Sequence, residues 1–337
     1  MPLQLEPFTD DHLTQAGELL AQRHARDRLT QPALPPRFED PAVARVAVEK
    51  TWRRPMTSGA VALEGGRLIG YLLGQAKADT LRERHVWVAL PGHALAADKS
   101  AELYGDLYAA AGERWVALGC FNHYALVPAR DQPALAAWFA LSFGMEQVHA
   151  LLDLARLDLP EVPEAANFVI RQATLADRLR LAEMHDVIAS HQAGAPVWGA
   201  TLPETLLEMR QGYGDLADEA DVTAWLALDP DGQRPLGLHG YYPDEPSDED
   251  LLSPEHTTGL HAAGTVAAAR RRGVGRALTR HGLLAAREAG FHYVLTDWRS
   301  TNLLAARFWP RQGFEPVAIR LVRRVDPRIL WATGKAK

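Results

Sequence analysis

Residues 260–276 read Leu260-His261-Ala262-Ala263-Gly264-Thr265-Val266, then three alanines, then Arg270-Arg271-Arg272-Gly273-Val274-Gly275-Arg276. A β-like segment thus meets a glycine-punctuated turn, and a helical run follows. Val274, Leu278, Leu284 and Ala285 fall near one face of that run, and Gly290 stands where a C-terminal cap belongs. A strand, a glycine turn and a helix in this order aim successive backbone N–H groups at one spot. The positive end of the helix dipole adds to them, so the spot suits a diphosphate. Glycine is required because a side chain would block close approach of a ligand to the backbone.

Downstream, Phe291-His292-Tyr293-Val294-Leu295 reads as a buried strand. Thr301-Asn302 supplies N-cap chemistry for a helix containing Ala305, Ala306 and Phe308, which Gly313 ends. The same punctuation occurs earlier in the chain. The run Ala60-Val61-Ala62-Leu63-Glu64, the turn Gly65-Gly66 and Leu68-Ile69-Gly70-Tyr71 form a predicted hairpin. Its counterpart is Ala224 to Leu228, a turn ending at Gly232, and Leu236-Gly237-Leu238, an offset of 167 between Gly65 and Gly232. Leu5 to Thr9 pairs with Ile170 to Thr174 at an offset of 165, and Gly144 with Gly313 at 169. Ordered pairs with nearly constant spacing indicate duplication of one unit. The expected organisation is a domain over 1–157, a linker over 158–166 and a second domain over 167–337. Each is expected to be α/β, a mixed and mostly antiparallel sheet flanked by helices.

At 337 residues, 47% hydrophobic and 23% charged, the chain has the composition of a globular protein with two cores. The single cysteine, Cys120, excludes an intramolecular disulfide, a thiol redox pair and a cysteine-rich zinc cluster. The N-terminus carries no basic region followed by an apolar run, and no window approaches a membrane helix, so a cytoplasmic location is expected. A net charge of −6 disfavours a general nucleic-acid binder, and the run Arg270-Arg271-Arg272 is better explained by phosphate.

The pattern Arg270-x-x-Gly273-x-Gly275 after a strand, followed by Asn302-x-x-Ala305 and Gly313-Phe314, resembles the GNAT acetyltransferase family. The resemblance covers most of residues 167 to 325. It implies acetyl-CoA as cosubstrate and no metal. The backbone from Arg271 through Arg272, Gly273, Val274 and Gly275 to Arg276, with Arg270 beside it, would hold the CoA pyrophosphate. Pantetheine would pair with the strand around Ala263 and Thr265, where strands splay at a bulge, and an N–H near Ala263 would serve as oxyanion donor. Asn302 would contact the cofactor from the other side.

Where the family commonly has a tyrosine acid, this chain has Trp309, whose indole N–H is too weak an acid to deliver a proton. The thiolate is a tolerable leaving group without help; Tyr241, Tyr242 and Thr301 are possible substitutes. For the base that deprotonates the acceptor, His261 is the first candidate, placed by two-residue alternation on the face where relatives often carry a glutamate. His239 and Glu255 are weaker alternatives. The acidic run Asp244-Glu245 to Asp250 could draw in a cationic amine or be a solvated loop.

The first half has Asp98-Lys99-Ser100-Ala101-Glu102 in place of the phosphate turn and Ala140 in place of Trp309, so it is expected to bind no CoA. The expected activity is direct acetyl transfer from acetyl-CoA to a primary amine of a small molecule in a ternary complex. Alternatives are acylation like that of the mycothiol synthases, and a non-catalytic CoA-binding sensor or scaffold. Neither nucleic acid nor membrane is an expected partner. The chain is expected to be a monomer, a pseudo-dimer of its two domains, or a homodimer.

Overall fold

Two successive glycines make the first hairpin: Gly65 and Gly66 take φ of 61° and 80°, the pair of positive angles that the tightest right-twisted hairpin turns require. The computed structural model describes residues 3–157, 167–244 and 247–332. The expected linker, 158–166, lies outside them. Through the first repeat run β1 (Leu3–Pro7), α1 (Leu13–Thr30), α2 (Pro41–Arg53), β2 (Thr57–Glu64), β3 (Arg67–Asp79), β4 (Glu83–Val88), β5 (His93–Leu95), α3 (Leu103–Ala117), β6 (Asn122–Pro128), α4 (Gln132–Ala140) and β7 (Gly144–Asp153). Then follow β8 (Val169–Gln172), α5 (Arg178–Glu183), α6 (Val187–Gln192), α7 (Pro203–Asp215), β9 (Thr223–Leu228), β10 (Pro235–Asp244), β11 (Thr257–Thr265), α8 (Val274–Glu288), β12 (Tyr293–Arg299), α9 (Leu303–Phe308) and β13 (Glu315–Arg324).

The chain forms two compact units, neither contiguous in sequence. Of the described residues, 3–148, 247–254 and 316–332 build the first, and 149–157, 167–244 and 255–315 the second. In the first unit the strand order is β1-β2-β3-β4-β6-β13, with β5 also paired to β3. Only β4 and β6 run parallel, and β13 adds antiparallel to β6 from Ala318↔Pro128 to Arg324↔Asn122. Arg320 of β13 is buried and bonds Glu146 and Gln147. The segment 247–254 belongs here as well: Asp248 pairs with Lys50, and Glu249 with Arg54 at 2.7 Å and Thr51 at 3.1 Å. Part of the acidic run is therefore neutralised by α2; Glu245 lies outside the described residues.

In the second unit β12, β11, β10, β9 and β8 follow one another, β11 and β12 parallel and the three pairs from β11 to β8 antiparallel. Mixed, mostly antiparallel sheets flanked by helices are thus found in both units, as the repeat predicts. One layer of the second core joins Leu181 and Met184 to Leu226, Leu228 and Leu238. The other packs Val274 and Leu278 of α8 on Ala227 and Leu236. The buried face of α8 is turned slightly from the predicted one: Leu283 and Ala286 are buried, while Leu284 and Ala285 are only half-buried. The reason is Gly282, against which the Tyr241 ring packs so closely that a Cβ there would lie 2.3 Å from it. The helix ends as predicted, with Gly290 at φ 88° and Phe291 N–H bonded to the Ala286 carbonyl at 3.0 Å. The next strand begins two residues later than the sequence suggests, at Tyr293.

Candidate functional site

The chain leaves β11 through a short 3-10 turn at Ala267–Ala269 and enters α8 through two residues with positive φ, Arg271 at 62° and Gly273 at 89°. The Gly273 carbonyl accepts the N–H of Ala277 at 3.0 Å. The N–H groups of the turn and first helical turn before Ala277 have no helical carbonyl behind them. Arg271, Gly273, Val274, Gly275 and Arg276 line an open cavity of about 830 Å³ within the second unit. A Cβ on Gly273 would meet nothing within 4 Å, and one on Gly275 would come only to 3.5 Å from Thr265 Oγ1 and 3.8 Å from the Phe308 ring. The two glycines therefore leave the helix head bare toward the cavity. Arg270, Arg271, Arg276, Arg307 and Arg311 surround it, with no carboxylate among the described lining residues. An anion at this spot would meet a helix N-terminus and several guanidinium groups together.

Next to the helix head the sheet opens. β11 and β12 are paired only from Thr257↔Tyr293 to Leu260↔Thr296, so the stretch from His261 to Thr265 has no registered partner on β12. On its other edge β11 continues along β10, with a register shift between Gly240 and Tyr241 that leaves His261 unmatched. The bulge and the parting of strands coincide. The edge of β11 that β12 leaves unpaired at Ala263, Gly264 and Thr265 lines the cavity.

Asn302 caps α9, its Oδ1 accepting the Ala305 N–H at 3.2 Å. The same oxygen is 3.2 Å from Nε2 of His191, whose Nδ1 is 3.3 Å from Arg270, and Arg270 Nε donates to the Thr265 carbonyl at 3.2 Å. A chain of polar contacts thus crosses the cavity margin from β11 to α9. Trp309 lines the cavity and is buried, its ring 4.9 Å from Phe308, 5.3 Å from Phe314 and 6.0 Å from His239. Phe314 and Trp309 are also tied by backbone at 3.2 Å.

Of the residues singled out in the sequence, Ala263, Thr265, Arg270, Arg271, Gly273, Val274, Gly275, Arg276, Asn302 and Trp309 converge on this cavity. Arg272 and His261 are not among its lining. His261 is exposed, and its ring lies 5.6 Å from Tyr242. Alternation counted back from Arg270 fails at this residue because the bulge inserts one extra position. His239, the weaker alternative, does line the cavity, and burial pushes its imidazole down to about 3. The sequence reading missed His191, Arg307 and Arg311. His191 lies in a helical stretch with no chemical pattern, so only the fold brings it to Arg270 and Asn302.

The first unit has the corresponding elements without the opening. Where Ala263 faces His239, the equivalent position on β5 is His93, paired with Leu72. Its imidazole is wholly buried, 2.9 Å from the Tyr104 hydroxyl and 2.8 Å from the Leu126 carbonyl on β6. The gap between strands is thereby closed by a side chain. Tyr104 enters α3 at its second position, as Gly275 enters α8, and its ring lies 5.6 Å from Trp138. Aromatic rings fill the place that glycine leaves bare in the second unit.

The sequence model of the acetyltransferase (GNAT) family matches residues 188–314, the span that holds this cavity. No curated protein matches the chain. Among solved structures, a GCN5-related N-acetyltransferase from Sphaerobacter thermophilus superposes with a TM-score of 0.59 at 14% identity, over 96% of this chain and 95% of its own. The glucosamine N-acetyltransferase region of a fungal multi-domain β-N-acetylglucosaminidase, also GCN5-related, gives a TM-score of 0.58 at 17% identity, over 95% of this chain and 38% of the other. At these identities the likeness is one of fold. Strand, bare helix head, parting strands and capped α9 occur together in the segment that the family model covers, and the chain accordingly carries, at residues 188–314, a domain of the acetyltransferase (GNAT) family.

Proposed function

We propose that this domain moves an acetyl group from acetyl-CoA to a primary amine of a small molecule, directly and in a ternary complex. The observation that carries the reading is the bare head of α8, opening on an arginine-lined cavity beside two strands that part. The N–H groups of Arg271 to Arg276 would bind the diphosphate, and Arg307 and Arg311 would neutralise the remaining phosphate charge. The unpaired edge of β11 from Ala263 to Thr265 would bind the amide-bearing arm as an added strand, with an N–H near Ala263 placed to take the developing oxyanion. When bound, acetyl-CoA supplies an activated acyl group with a thiolate as leaving group.

The first unit is proposed to be non-catalytic, because His93, Tyr104 and Trp138 occupy the equivalent space. A CoA-binding sensor is the competing reading, favoured by Trp309 at the acid position. Release of free thiol from acetyl-CoA across a panel of amines, with calorimetric titration of acetyl-CoA, separates the two. Thiol release that depends on an amine supports transfer. Tight binding without turnover across a broad panel supports the sensor, and no binding defeats both.

A further inference from the structure

We propose that His239 carries the proton of the transfer reaction, taking it from the attacking amine and delivering it to the departing thiolate. The inference rests on the acetyltransferase reading of the same cavity.

The cavity itself narrows the choice. Its described lining holds seven side chains able to bind a proton. Five are arginines, too basic to give one up. His191 has both ring nitrogens engaged, one with Arg270 and one with Asn302. His239 remains. It is 2% exposed, yet its Nδ1 has no hydrogen-bond partner. A buried polar nitrogen left unpaired costs free energy and calls for an explanation. The ring is therefore held by no competing hydrogen bond at that nitrogen.

Position supports the assignment. In β10, His239 stands opposite Ala263 of β11, beside the first unpaired stretch of that strand. It shares a sheet face with Gly237, which packs on α8, and its ring lies 6.0 Å from Trp309 and 6.4 Å from Tyr241. Trp309 holds the place from which a tyrosine would protonate sulfur, and an indole cannot do so. The Tyr241 hydroxyl is buried and pushed well above its ordinary range, so it holds its proton too tightly to act as the acid. Burial keeps the His239 imidazole neutral, and its lone pair is available at every pH at which an amine is a nucleophile.

The chemistry balances with one residue. The amine nitrogen attacks the thioester carbonyl and forms the C–N bond; as positive charge develops on that nitrogen its N–H proton becomes acidic and passes to His239, whose imidazolium burial makes a strong, short-lived acid. The tetrahedral adduct then collapses, the C–S bond breaks with its electron pair on sulfur, and the imidazolium returns the same proton to the thiolate. Products are the amide and free CoA thiol, with His239 neutral again and no outside acid or base consumed.

The test uses the whole chain. In His239→Gln, acetyl-CoA should bind within about threefold of wild type by calorimetry, while kcat falls by at least about a hundredfold. The remaining rate should climb with pH where the wild-type rate is level, because hydroxide must then take the proton. Added imidazole should restore activity to His239→Gly. Independently of turnover, a nitrogen resonance of the wild-type His239 ring should shift when CoA is added. Normal kcat in a folded His239→Gln overturns the proposal, as does a ring resonance indifferent to CoA, which remains decisive if the variants do not fold. Wild-type protein that fails to bind acetyl-CoA instead defeats the acetyltransferase reading itself.

Discussion

Placing a carboxylate at the head of α8 should separate ligand binding from folding. At Gly275 the nearest atoms to an added Cβ are Thr265 Oγ1 at 3.5 Å and the Phe308 ring at 3.8 Å, which is ordinary contact. Gly275→Ala is thus accommodated and, by restricting the unfolded chain, should raise stability by up to about 1 kcal/mol. Gly275→Glu extends from the same Cβ into the cavity that Arg270, Arg271 and Arg276 line. Two unit charges of like sign 4 Å apart repel by about 4 kcal/mol at an effective dielectric constant of 20. The cavity is open, so salt and solvent screening take roughly half of this, leaving about 2 kcal/mol, a loss of roughly thirtyfold in affinity. Titration calorimetry with acetyl-CoA, beside a thermal melt of each variant, measures both quantities. A folded Gly275→Glu that binds acetyl-CoA as tightly as wild type would show that the diphosphate does not sit at this helix, and the site assignment would fall with it.

Acid should weaken the first unit before neutral pH is far behind. Burial pushes His24, His93 and His123 down from 6.5 to about 4, 3 and 4. These groups stay neutral when folded and take protons when unfolded, so stability is full above about 6.5 and declines as pH falls toward about 4, by about 1.4 kcal/mol per pH unit for each histidine. Asp27, which burial holds up at about 6, offsets part of this. A melting temperature of that unit level between pH 7 and 5 would contradict the account. Asp177 is fully buried and accepts from Arg171 at 2.6 and 2.7 Å and from the Thr174 N–H at 3.0 Å. Because Arg171 is partly exposed, Asp177→Asn should cost about 2 kcal/mol, read as a drop in the denaturant midpoint of the second unit; a change below about 0.5 kcal/mol would deny the pair a structural role. Gly282→Val drives a branched side chain into the Tyr241 ring, where even a Cβ would be 2.3 Å away. Unfolding should become easier by about 1–3 kcal/mol, and an unchanged denaturation curve would mean that the ring moves freely.

The glycine turn ahead of α8 was legible because its geometry is local. Gly273 and Gly275, the helix behind them and the Asn302 cap are set by backbone angles and neighbours a few positions apart, which a sequence displays. The bulge at His261 is not of that kind. Strand alternation carries no mark of an extra residue, since which position bulges depends on the partner strand at Gly240 and Tyr241. His239 and His191 were obscure for a related reason: a histidine in a strand or a short helix shows no sign of whether the fold leaves its nitrogens paired or free. The closure of the first unit's gap by His93 likewise becomes visible only when the fold brings β5 and β6 together, although the missing glycines at Asp98 to Glu102 already set this half apart from the second.

In the first unit β13 pairs with β6, a strand about two hundred residues earlier in the sequence. During synthesis that unit therefore keeps one edge of β6 unpaired until β13 has been made. Closure over such a distance makes its folding slow relative to its size, and a ribosome-stalled or truncated product ending before residue 315 would expose an unpaired strand edge open to aggregation.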